Sequence, residues 1–190
     1  MSKKDAITIA KEVGITLKNL KTFDGHDGGL GINADICLNG KIFAHAYDDA
    51  MGGMMDIKPI YSTVDGVYQR NREIIGEVEE AISKYPEHEI ELGGGKKYMM
   101  KEDLEGLVNA LVDEVETQKQ IKKNEKKGIL IKTPSGYSIV KFKAGSISDL
   151  LKKYEQKAVS MMLQGHVTKL INDGEEIINS EYLKSLGVKL

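Results

Sequence analysis

The dipeptide Asn39-Gly40 stands between two runs in which apolar and polar residues alternate, and no other short stretch limits the fold so strongly. Asn and Gly both tolerate positive φ, which a two-residue type I′ turn demands of its two central residues. A hairpin is therefore expected. A regular ladder closed by that turn pairs Leu38 with Lys41, Ile36 with Phe43, Ala34 with His45 and Ile32 with Tyr47. One face of this ladder is apolar, and the other carries Asn33, Asp35, Cys37, Ile42, Ala44 and Ala46. That register makes His45 a hydrogen-bonded core histidine and turns Asp35 away from it, so the two are not expected to share a metal.

The rest of the chain reads as α+β. Ser2 and Asp5 cap a short helix that ends at Gly14, residues 15–23 form a strand, and a third hairpin neighbour near Met54 to Ile60 completes a small antiparallel N-terminal sheet. Apolar residues recur at helical spacing from Val64 to Lys84, where Pro86 stops the pattern, and again from Leu104 to Val115. A lysine-rich connector near 116–128 follows. A second hairpin is expected from Ile129 to Lys143 around Pro134-Ser135-Gly136. Ser146 with Asp149 then caps one long helix, kinked near Gly165 and ending before Gly174, and a short terminal helix starts at Asn179 or Ser180. The expected division is an N-terminal sheet lobe with its packing helix at 1–92 and a helix, hairpin and helix lobe at 93–190.

The single cysteine, Cys37, rules out a disulfide framework or a thiolate zinc site within one chain, which suits a reducing cytoplasm. The N-terminus lacks the h-region of a signal peptide, and no run of about 18 apolar residues occurs, so no membrane association is expected. A formal net charge of −2 argues against a surface devoted to nucleic acid. The charge is uneven, however. Residues 69–117 hold thirteen acids and six bases, whereas 118–143 hold eight lysines and one acid. Lys119, Lys122, Lys123, Lys126 and Lys127 are the candidates for nonspecific phosphate contact. With only Arg70 and Arg72 in the chain, bidentate base readout has few candidates.

Both loops that leave the hairpin do so at the end remote from Asn39-Gly40, so they are expected side by side. They gather Asp24, His26, Asp27, Asp48, Asp49 and Asp56 around glycine-rich backbone. Three readings suit this cluster: ordinary Asp/Gly turns, an acidic partner-binding surface, or an oxygen-rich site for magnesium, calcium or manganese. Catalytic motifs fail. Gly29-Leu30-Gly31-Ile32-Asn33-Ala34 has the glycine spacing of a dinucleotide fingerprint but opens a strand, and Gly93-Gly94-Gly95-Lys96-Lys97 lacks the first glycine and the hydroxyl of a phosphate loop. No serine occupies a nucleophile elbow, and Cys37 lies within a strand. The pairs Met54-Met55, Met99-Met100 and Met161-Met162 read as core filling, with an adaptable partner surface as the alternative.

The series Phe23-Asp24-Gly25-His26-Asp27-Gly28, Asn33-Ala34-Asp35-Ile36, Leu38-Asn39-Gly40-Lys41, Asp48-Asp49-Ala50 and Gly52-Gly53 resembles small phage and mobile-element proteins. Asp103 to Val108, the lysine-rich connector, the second hairpin and Glu175-Glu176-Ile177-Ile178-Asn179 are similar in order and spacing. The resemblance includes type II-A anti-CRISPR proteins. It implies a non-catalytic protein, without cofactor, that acts in the cytoplasm of a bacterial host by binding Cas9 with its guide RNA and blocking DNA cleavage. The alternatives are a divalent-metal hydrolase or nuclease built on Asp24, His26, Asp27, Asp48 and Asp49, and a nucleic-acid-binding accessory protein of a mobile element.

Overall fold

The computed structural model describes residues 3–25, 29–61, 64, 66–92, 96–133 and 136–190, and the chain is α+β. It divides into two compact units, residues 1–114 and 115–190. The boundary falls inside a continuous helix, and both strands that flank residues 93–95 belong to the first unit.

In the first unit, α1 (Lys3–Val13) leads into β1 (Ile15–Asp24), β2 (Leu30–Leu38), β3 (Lys41–Asp48) and β4 (Asp56–Pro59), an antiparallel sheet in sequential order. Asn39 (φ 48) and Gly40 (φ 81) supply the two positive φ values expected of the tight turn. Helix α2 (Val67–Ser83) follows, then the hairpin β5 (His88–Leu92) and β6 (Lys96–Met100), and then α3 (Leu104–Asn124). One face of the sheet is dry. Ile32, Ala34, Ile36, Phe43, Ala44 and Ala46 pack with Ile9 and Ala10 of α1, Val78 and Ile82 of α2, and Leu104, Leu107, Val108 and Val112 of α3. The buried Asn71 side chain donates to the Ile60 carbonyl at 2.9 Å, which ties α2 to the end of β4.

The regular ladder expected of the hairpin does not hold beyond the first two pairs. Leu38 faces Lys41 and Cys37 faces Ile42, but Ile36 then faces Ala44, leaving Phe43 as an extra residue in β3. Every later residue of β3 changes face. Ala44 and Ala46 turn inward, while His45 and Tyr47 turn outward, with Asp35 directly opposite His45. Packing explains the preference. The bulge buries Ala44 and Ala46 beside Phe43, whereas the regular ladder would bury the His45 imidazole in place of the alanines. A second irregularity lies in β1, where Asn19 and Leu20 intervene between the pairs Lys18 with Asp35 and Lys21 with Asn33. Asn19 takes φ 51, a conformation Asn tolerates, and this lets both Leu17 and Leu20 lean on the same core.

In the second unit, the C-terminal part of α3 precedes the hairpin β7 (Ile129–Thr133) and β8 (Gly136–Val140), followed by α4 (Ile147–Lys153), α5 (Gln156–Asn172) and α6 (Ser180–Ser185). Ile129, Ile147, Leu150, Val159, Leu163, Val167 and Leu183 form its core. The single long helix expected here is two helices. A reciprocal capping box between Ser146 and Asp149 starts α4, and extended Tyr154 and Glu155 end it before α5 begins. Helix α3 runs through Asn124, so most of the expected connector is helical. Among the described residues, no helix is long and apolar enough to cross a membrane.

Candidate functional site

The two loops at the open end of the hairpin meet. A Cβ placed on Gly25 would fall 2.4 Å from the Ala50 Cβ, and one on Gly29 would fall 3.2 Å from it, so bare glycine backbone lets the second loop seat against the first. The Gly25 N–H donates to the Gly29 carbonyl at 2.8 Å across the base of the first loop. In the second, Ala50 takes φ 61. Asp48 Oδ1 accepts from the Ala50 N–H at 2.8 Å, and Asp49 Oδ1 accepts from the Met51 N–H at 3.0 Å. These two carboxylates hold their own turn.

Of the six expected site residues, Asp24 ends β1 opposite Leu30, Asp48 and Asp49 lie where β3 ends, and Asp56 opens β4 opposite Tyr47. All four occupy this end of the sheet. His26 and Asp27 lie outside the described residues. Asp56 pairs with Lys58 on its own strand. Among the described residues, no group of three or more His, Cys, Asp or Glu side chains is placed to hold a metal ion.

Core filling, the reading the sequence favoured for Met54, does not describe the apolar company these carboxylates keep. Met54 is 89% exposed and Met51 is 71% exposed, a large apolar area for one short loop. Phe23, Leu30 and Tyr47 are also exposed at the same end. The Phe23 and Tyr47 rings stack with centroids 6.4 Å apart. Phe23 lies over Gly31, where a Cβ would fall 2.2 Å from the ring. The expectation that the paired methionines fill the core fails for five of the six. Only Met55 is buried, while Met54, Met99, Met100, Met161 and Met162 are exposed.

The outward face of the sheet carries a polar triad that the regular register excluded. His45 Nδ1 lies 3.0 Å from Asp35 Oδ1, and the Asn19 side-chain amide donates to Asp35 Oδ2 at 2.7 Å. The Asn19 hydrogen bond, and after it the adjacent imidazole, hold the Asp35 carboxyl below its ordinary value of 3.8, against the opposing effect of partial burial. The β3 bulge sets His45 opposite Asp35, and the β1 irregularity supplies Asn19. For Asn19 a readable sign lay in β1, where the spacing from Leu17 to Leu20 breaks a period of two.

The candidate phosphate-contact lysines are exposed. Lys119 is already paired with Glu116 at 2.7 Å, Lys122 and Lys123 lie in the last turn of α3, and Lys126 and Lys127 lie just after it. The two units differ in charge. Residues 1–114 carry 13 basic and 21 acidic side chains, net −8, and residues 115–190 carry 14 lysines and eight acids, net +6. The chain matches no family model, no curated protein and no solved structure.

Proposed function

We propose that the chain is a non-catalytic binding protein of a phage or mobile element, and that its acidic, methionine-bearing loop end engages a basic, nucleic-acid-handling protein of the host. The resemblance to type II-A anti-CRISPR proteins makes Cas9 with its guide RNA the first partner to test. One observation carries the binding reading: Met51 and Met54 stand out in water among Asp24, Asp48, Asp49 and Asp56, beside the exposed rings of Phe23 and Tyr47. Exposed apolar side chains within a charged rim are the composition of a protein interface. Methionine adapts its shape to a partner, and aromatic anchors contribute much of the binding energy where they become desolvated. The carboxylates add complementarity to a groove that ordinarily holds phosphate, which raises the association rate and selects against acidic partners. Asp48 and Asp49 suit this role because their turns are already formed and little ordering remains for binding.

The test is capture of purified Cas9 with guide RNA by the tagged chain, together with a DNA cleavage assay. Binding below micromolar concentration and loss of cleavage are the expected results. Absence of binding at micromolar concentration removes Cas9 as the partner, and a Met51→Asp/Met54→Asp variant that still binds and inhibits removes the loop as the contact.

A further inference from the structure

The second unit holds a groove of about 480 Å³ that plays no part in the loop-end reading. Its lining is mainly apolar, from Phe142, Ala144, Leu150, Met162 and Leu163, and Lys141, Lys143 and His166 complete it. Leu150 and Leu163 belong to the unit's core, so the bottom of the groove is fixed. Met162 is about half exposed, which leaves a flexible wall. The volume lies within the range of small-ligand clefts and is large enough for a bulky apolar side chain. The lysines flanking Phe142 are exposed, in a unit of net charge +6.

We infer that this groove docks an acidic segment of a partner protein, which inserts one large apolar side chain against Phe142, Leu163 and Met162 and lays its carboxylates along Lys141 and Lys143. The two halves of the surface ask for different chemistry, and an acidic segment with an apolar anchor meets both. Single-stranded nucleic acid fits less well. The Phe142 ring is met edge-on by His166 at 5.1 Å, so its neighbour forms no parallel slot for a base, and the remaining walls are aliphatic. The unit also contains no arginine, the residue best suited to bidentate phosphate contact.

A display library of random eight-residue peptides, panned on the full chain, tests the inference. Enriched peptides are expected to carry at least two acids around a Trp, Phe, Leu or Met. Their affinity should fall about tenfold or more on Lys141→Glu/Lys143→Glu and also when the anchor is replaced by Ala. Lys152→Glu/Lys153→Glu, which changes charge outside the groove lining, is expected to change affinity less than about threefold. All four lysines are exposed, so both variants should stay folded, although Lys152→Glu gives up a surface ion pair with Asp149. The inference is overturned by no enrichment, by enrichment of neutral or basic peptides, or by equal loss in the two variants. It is overturned equally if fifteen-residue oligothymidylate displaces the peptides at lower concentration than unlabelled peptide does, or if the chain self-associates through Lys141 and Lys143.

Discussion

Replacing Asn179 with Ala should destabilise the second unit by about 2–6 kcal/mol, because one side chain serves three backbone groups, two of them in a dry interior. Asn179 is 3% exposed. Its Oδ1 accepts from the Leu130 N–H at 2.9 Å, and its Nδ2 donates to the Gly128 carbonyl at 3.0 Å and the Glu125 carbonyl at 3.3 Å. Although it sits just before α6, where Asn commonly caps a helix, the side chain makes no capping bond there and reaches instead to the entry of β7. Truncation leaves the Leu130 N–H and the Gly128 carbonyl buried without a partner, at about 1–3 kcal/mol each. The half-buried Glu125 carbonyl regains water more easily. A unit of this size holds only about 4–11 kcal/mol in total, so the loss removes much of its stability. Urea unfolding followed by tyrosine fluorescence and far-ultraviolet circular dichroism measures it. Asn179→Asp sharpens the test, since it keeps the acceptor but aims a carboxylate at two carbonyl oxygens. It should be worse than Ala at pH 7 and recover on acidification as the carboxyl gains a proton to donate. A loss below about 1 kcal/mol for Ala, or an Asp variant indistinguishable from wild type, would refute the reasoning.

Three further outcomes are expected. Asp35 has a depressed pKa in the folded chain, so its contribution to stability is present above its ordinary value of 3.8 and disappears as pH falls through the lower folded value. Urea midpoints measured from pH 6 to pH 2.5 should therefore fall less steeply in Asp35→Asn than in wild type below about pH 4. Gly31→Val should displace Phe23 from Tyr47, at a cost of about 1–3 kcal/mol and with an altered near-ultraviolet dichroism signal. Met51→Asp/Met54→Asp should weaken partner capture at least about tenfold while leaving the melting temperature within about 2 °C, because neither side chain contributes to the core.

Where a local rule determines the backbone, the fold was legible. Asn39-Gly40 marked the turn, the Leu104 to Val115 stripe marked the helix whose inner face covers the sheet, and Ser146 with Asp149 marked a cap that the structure contains. The adjacency of the Gly25 and Ala50 loops followed from hairpin geometry alone. What escaped was parity. Alanine suits either face of a strand, so Ala44 and Ala46 gave no warning that β3 changes face at Phe43, and the Asp35 and His45 contact was excluded for that reason. The hairpin β5 and β6 escaped because Pro86 and the glycines at 93–95 read as helix stop and linker, while its short strands are rich in charge. The break at Tyr154 and Glu155 carries neither Gly nor Pro, so periodicity ran through it. At the candidate site, the carboxylates were visible as letters. The exposure of Met51 and Met54 depends on which side of a loop faces water, and no spacing rule encodes that.

The extra residues in β1 and β3 make chain length, and not just composition, part of what this sheet inherits. Exposed positions such as Thr16 or Lys41 can drift through many substitutions without altering what lies beneath them. Loss or gain of one residue inside β1, β2 or β3 exchanges wet and dry sides for the remainder of that strand. Descendants of this gene should therefore vary in spelling at the exposed positions of these strands while keeping their letter count, and insertions should collect at the loop tips.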